Sequence, residues 1–236
     1  MTTTKASLTR LADALRSAAP TLDADEQELV VGLYRSLAQG APVGPAALAA
    51  DLGVTQELIE DVLDRWPGVY RSEQGEVIGI WGLALTGMPH HMDIGDASVT
   101  AWCALDPFLI TALLATGETR VRSQDPVTGE RITLTIGGEG VLDVSPPTAV
   151  VSMLEPDGSF DHQVVETFCH NVWFFASPKS GEAWTNDHTG TFLLTVREAD
   201  TVARMPGPLS WATCSTATTR RTQSHDRYNP TRSSLR

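Results

Sequence analysis

"GPAALAADLGVTQELIEDVLDRW", residues 44–66, reads as two short helices joined by a tight turn. Gly53 closes the first helix, because a residue without a Cβ takes the left-handed conformation that ends a helix at no steric cost. Thr55 starts the second, its hydroxyl placed to accept from an otherwise unpaired N–H of the first turn. The chain then runs into "VYRSEQGEVIGIWGLAL" (69–85), two extended stretches around Glu73–Gly75 that predict a hairpin. Helix, turn, helix and hairpin together outline a winged-helix module. Two more helices precede it. "SLTRLADALRSA" (7–18) puts Leu8, Leu11 and Leu15 on one face, and "DADEQELVVGLYRSLAQG" (23–40) opens acidic and stops at Gly40.

A winged helix that reads DNA presents basic and amide side chains from its second helix. Here that helix offers Glu57, Glu60, Asp61 and Asp64 against Arg65 alone. The wider charge balance points the same way. The chain has 17 basic and 29 acidic side chains, net −12; five arginines and one aspartate lie beyond residue 215, leaving 12 basic and 28 acidic before it, net −16. Such a body repels a phosphate backbone, so no nucleic-acid partner is expected. No apolar run reaches the ~20 residues of a membrane span. The opening "MTTTKASLTR" lacks the apolar segment of a secretory signal, so a cytoplasmic location is expected.

Downstream, "PHHMDIG" (89–95) reads as a loop carrying two adjacent histidines, which diverge too far to chelate one metal together. "DPFLITALLATG" (106–117) is a helix with Asp106 as its cap, Pro107 at its first position and Gly117 as its stop. "TRVRSQ" and "RITLTI" flank the turn "DPVTGE", and "PTAVVSMLEPDG" is a further strand and turn. "HQVVETFCHNVWFFAS" (162–177) is rich in Val, Phe and Trp and predicts a buried strand with Cys169 in its middle. "GEAWTNDH" reads as a short helix, "TFLLTV" as a strand and "READTVAR" as a last helical piece. Beyond "MPGPLS" apolar residues give way to Ser, Thr and Arg, the composition of a disordered tail.

The chain has three cysteines, Cys103, Cys169 and Cys214. They form neither a disulfide framework nor the closely spaced Cys/His set of a zinc site, and free thiols fit better. Cys103 stands three residues before Asp106 in "AWCALDP" (101–107). Packed apolar thiols and a helix-capping carboxylate explain these residues without any chemistry. Nucleophilic catalysis through an adjacent histidine is disfavoured, since strand neighbours such as Cys169 and His170 face opposite ways. Two further options stay open: thiol redox chemistry if the fold joins the two cysteines, and soft-metal chemistry with a carboxylate moving a proton.

"AWCALDPFL", "TRVRSQDPVTGERITLTI" and "ETFCHNVWFFAS" with "EAW" soon after follow the order and approximate spacing of organomercurial (alkylmercury) lyases. The segment "LAQGAPVGPAALAADLGVTQELIEDVLD" resembles that family's N-terminal helical module, so the resemblance runs from about residue 25 to 200. It implies an α+β protein: a winged-helix-like module over residues 1–85, a catalytic core of antiparallel β-sheets with short helices over 86–205, and the tail at 206–236. It also implies an enzyme that splits carbon–mercury bonds with Cys103, Asp106 and Cys169, all three holding mercury as substrate or product. No cofactor is implied beyond cellular thiols that release Hg(II), with a mercuric reductase as a possible acceptor. The sequence departs from the family at His170, where many members carry a second cysteine, and in "SQDPV", where many carry a structural one.

Each residue has a chemical part in that reading. Soft Hg(II) prefers thiolate sulfur, and a second thiolate pushes electron density toward the bound carbon. Asp106 takes a thiol proton and returns it to carbon. The helix N-terminus near Cys103 is expected to favour its thiolate. Burial, with Trp102 and Phe168 as lining, is expected to raise the carboxyl. A carrier that holds Hg or Cu without cleaving bonds is the alternative, and a winged-helix metal-responsive regulator a third reading. The retained Asp106 favours the enzyme, because a carrier needs no proton donor.

Overall fold

The structure, a computed structural model, describes residues 4–115 and 117–205. It opens with four helices, α1 (Lys5–Ala18), α2 (Ala24–Leu37), α3 (Pro45–Leu52) and α4 (Gln56–Arg65). Their ends follow the local chemistry. Asp23 accepts from the N–H groups of Asp25 and Glu26 while Glu26 reaches back to the Asp23 N–H, a reciprocal cap on α2. Gly53, at φ 70°, ends α3, and the Thr55 hydroxyl accepts from Leu58 N–H to start α4. α2 buries the widest face, through Leu29, Val30, Leu33, Tyr34 and Leu37.

Three strands follow: β1 (Val69–Arg71), β2 (Val77–Ile80) and β3 (Leu83–Ala84). β1 and β2 form the expected hairpin, and Val43 bridges to Val77 beside it. Beyond them come β4 (His90–Ile94), β5 (Ala97–Ala101), α5 (Asp106–Leu114), β6 (Thr119–Gln124), β7 (Arg131–Gly137), β8 (Gly140–Ser145) and β9 (Val150–Met153). The described chain closes with α6 (Val164–Thr167), a 3-10 turn (Cys169–Asn171), β10 (Phe174–Phe175), α7 (Pro178–Asp187), β11 (Phe192–Thr195) and α8 (Val196–Arg204). Among the described residues all strand pairs are antiparallel. One sheet has eight strands in the order β1-β2-β3-β5-β4-β6-β7-β8, and a smaller one the order β10-β9-β11. The fold is α+β, and the large sheet runs without a break across residue 85. α5 lies against α2 and α8, and α1 against α8, so helices from both ends of the chain meet over α5.

Four local expectations need correction. Residues 90–94 are a strand, not a loop; His90 and Met92 face the core while His91 faces out, so alternation hides in a histidine-rich string. Residues 162–177 are not one strand. Val165, Phe168, Cys169 and Val172 are all buried, a spacing of three and four that suits a helical turn, and only Phe174 and Phe175 pair with β9. Asp106 is the first helical residue rather than the cap, with Leu105 in the cap position. α5 ends at Leu114 with Ala115 at φ 50°, two residues before Gly117. The tail at 206–236, with Cys214, lies outside the described residues. Among those described, no helix is long and apolar enough to cross a membrane.

Candidate active site

β5 ends at Ala101, and the chain turns through Trp102 to Leu105 before α5 begins. That turn is held at both ends. Trp102 N–H donates to the Gly82 carbonyl at 2.9 Å, and Cys103 N–H donates to Asp106 Oδ2 at 2.7 Å. The second bond brings the carboxylate back over the cysteine three residues earlier. Cys169 arrives from the other side on its 3-10 turn. Ala104 N–H donates to the Val172 carbonyl at 3.0 Å and ties the two loops together. Ser152 on β9 anchors the second loop: its hydroxyl donates to Asn171 O at 2.8 Å and accepts from Trp173 N–H at 2.9 Å.

The result is a compact group. The sulfurs of Cys103 and Cys169 and a carboxylate oxygen of Asp106 all lie within 4.8 Å of one another. All three residues are buried, and both cysteines are free. Asp106 and Cys169 stand on the wall of a cavity of about 130 Å³, with Trp81, Trp102, Leu109, Val164 and Phe168 among the apolar residues around them. Cys103 sits behind that wall. Trp102 and Phe168 therefore hold the lining positions expected of them.

A sequence model described as alkylmercury lyase matches residues 83–206. The chain is 41% identical over 172 residues to the alkylmercury lyase of Pseudomonas putida, covering 72% of this chain and 79% of that one. The chain belongs to the alkylmercury lyase family. The Staphylococcus epidermidis alkylmercury lyase is 38% identical over 74% of this chain and 79% of its own, and that of Streptomyces lividans 33% over 73% and 78%. The fold also matches a crystal structure of the mercury-bound form of MerB2, with TM-score 0.68 and 17% identity over 84% of this chain and 96% of that one.

Electrostatics set the state of this cluster. Burial pushes the Asp106 carboxyl up to about 6, against the opposing effect of hydrogen bonds from the Cys103 N–H, the Cys103 thiol and the Trp102 backbone. Burial also pushes the Cys103 thiol well above its ordinary range, helped by its hydrogen bond to Cys169 and by the nearby charge of Asp106. The thiol is thus pushed up, opposite to the thiolate expected from a nearby helix terminus, with desolvation the largest cause and the Leu105 backbone hydrogen bond opposing it. Cys103 holds its proton, next to a carboxylate that can take it.

His170 points to solvent beside the buried Cys169. The turn at "SQDPV" is built on Asp125 instead of a cysteine. One of its oxygens accepts from the Ala176 N–H at 2.8 Å and the Ser180 hydroxyl at 2.6 Å, the other from the Val127 and Thr128 N–H groups. It links the β6–β7 turn to β10 and α7. Two site neighbours carry no motif: Tyr34, in the middle of an ordinary amphipathic helix, and Gly82, one glycine among 19. Both are on the cavity wall. The positive φ of Gly82 and its approach to Asp106 are tertiary facts with no local pattern.

Proposed function

We propose that Cys103, Asp106 and Cys169 cleave the carbon–mercury bond of alkyl- and arylmercury compounds by protonolysis. The observation that carries this reading is two thiols and one carboxylate within 4.8 Å of one another, with Cys169 and Asp106 on the wall of a largely apolar cavity. The organic group of the substrate occupies the apolar cavity, and mercury bonds the Cys169 sulfur on its wall, the Cys169 proton leaving with the small ligand, such as a cellular thiolate, that mercury carried in. Cys103 then passes its proton to Asp106 and bonds mercury through sulfur. With two thiolates on the metal, the carbon–mercury bond breaks with its electron pair on carbon. Asp106 delivers the proton to that carbon, giving R–H and Hg(II) held by both sulfurs. No cofactor enters these steps. Small cellular thiols in the cytoplasm lift Hg(II) away, toward an acceptor such as a mercuric reductase. A carrier of Hg or Cu needs the two sulfurs only, so a carboxyl poised to ionise near neutrality favours the enzyme.

The division at residues 85 and 205 belongs to the same reading. Residues 1–85 form a winged-helix-like scaffold whose α1 and α2 wall the cavity, and whose acidic α4 leaves no nucleic-acid face. This use of the module is supported by α3, α4 and the β1–β2 hairpin, and by Ala12, Leu15 and Tyr34 at the cavity. The test of the chemistry is Asp106→Asn, assayed with phenylmercury and excess thiol. Benzene release should fall by about 10²-fold or more, as expected for loss of a general acid–base group. Inorganic Hg(II) should still bind one per chain, since both thiols remain. Benzene release at the wild-type rate would remove Asp106 from the reaction.

A further inference from the structure

Gly82 touches the reacting carboxyl. A Cβ on this residue would stand 2.5 Å from both Cγ and Oδ1 of Asp106, too close for any real contact, and its backbone sits at φ 95°. The preceding residue, Trp81, is left-handed as well, at φ 35°, a conformation that a bulky side chain adopts only when its surroundings enforce it. Three hydrogen bonds enforce it here. The indole N–H donates to the Pro67 carbonyl at 2.6 Å, the backbone N–H to the Gly68 carbonyl at 3.4 Å, and the Tyr34 hydroxyl donates to the Trp81 carbonyl at 2.5 Å. The Trp66 ring packs on Trp81 with centroids 4.8 Å apart. Gly82 then offers its carbonyl to Trp102 N–H, so the same corner holds the loop that carries Cys103. Tyr34 is fully buried, and the charge of Asp106 adds to burial in raising its hydroxyl, which places that hydroxyl within the carboxylate's field.

We propose that Tyr34 and Gly82 are positioning residues for Asp106: the Tyr34 hydroxyl locks the Trp81–Gly82 corner, and the bare face of Gly82 is the seat that keeps the carboxyl beside Cys103. The inference rests on the reading of Asp106 as the proton carrier. Neither residue falls within the 83–206 segment that the family model matches. The N-terminal module thereby shapes the reacting group as well as the cavity.

Two experiments test it. Tyr34→Phe keeps the ring and removes one O–H. Because small misplacements of a reacting group cost large factors in rate, kcat for benzene release should fall by about tenfold, with KM and the stoichiometry of Hg(II) binding unchanged. A wild-type kcat in Tyr34→Phe would overturn the role of Tyr34. The seat is tested by a double-mutant cycle read as Tm, with Gly82→Ala made in the wild type and in Asp106→Ala. Backbone strain at φ 95° is common to both arms and cancels, whereas the Cγ and Oδ1 atoms are absent from the second. Gly82→Ala should lower Tm much more in the wild type than in Asp106→Ala. Equal losses would make Gly82 a backbone requirement only and overturn the seat. Full activity of Asp106→Asn would remove the chemical reading alone, leaving the Tm cycle to stand or fall by itself.

Discussion

In the proposed reaction Asp106 faces two demands at once: it is ionised to accept the proton of Cys103, and protonated to give it to carbon. Burial meets both by holding the carboxyl at about 6 rather than 3.8, so either form is accessible near neutrality. That proposed reaction starts from the ionised form. The rate of phenylmercury cleavage should therefore rise with pH through a half-maximal point near 6, measured as kcat/KM between pH 4.5 and 8. A profile already flat from pH 4.5 would mean that the carboxyl titrates as in water, or takes no part. At this scale the sequence was informative where the chemistry is local. Cys103 and Asp106 are legible as a pair because "WCALD" sets them three residues apart. Cys169 joins them only through the resemblance to the family, since nothing in its own segment points 66 residues back.

An element can be read correctly in composition and wrongly in conformation, and residues 162–177 show how. Val, Phe and Trp favour a strand, yet the buried set Val165, Phe168, Cys169 and Val172 is spaced for helical turns. Tertiary bonding decided between them: Ser152 takes the Trp173 N–H and the Asn171 carbonyl that a β-ladder would have used. Ser152 is thus the bracket that fixes the Cys169 turn to the small sheet. Ser152→Ala leaves two backbone groups without their partner, at a cost of about 1–3 kcal/mol. The variant should unfold at lower urea, and cleavage should fall with Hg(II) affinity as Cys169 loosens. An unchanged midpoint in urea would show that water replaces the hydroxyl. The stop of α3 and the start of α4 were legible to the residue, because their signals (Gly53, Thr55) are local.

Across the whole molecule, acid stability is a balance between groups that sequence alone does not separate. His90 lies buried between the Trp173 and Phe174 rings, its Nδ1 paired with the Ser123 hydroxyl. Burial first, and the neighbouring His91 second, lower it from 6.5 to about 3. As pH falls from 6.5 the unfolded chain gains a proton that the folded protein refuses, so stability drops by about 1.4 kcal/mol per pH unit. Asp106 acts with the opposite sign. Between about 6 and 3.8 the folded protein holds a proton that the unfolded chain releases, so stability rises by a similar slope as pH falls. Burial alone would raise Asp125, but bonds from Ser180, Ala176, Val127 and Thr128 outweigh it and hold the carboxyl low. Its contribution is present above the ordinary carboxylate range and is lost as pH falls below it. From pH 6 to 4 the His90 and Asp106 slopes cancel, and the wild-type Tm should be nearly flat. Asp106→Asn removes one side of the balance, so its Tm should fall steadily across that window. His90→Gln keeps a polar partner for Ser123 and removes the other side, so its Tm should rise as pH drops, whatever the absolute cost of the substitution. Scanning calorimetry of the three proteins at pH 4, 5, 6 and 7 measures the slopes directly. Parallel profiles would show that neither buried group titrates in this window, and that acid sensitivity lies in the surface carboxylates.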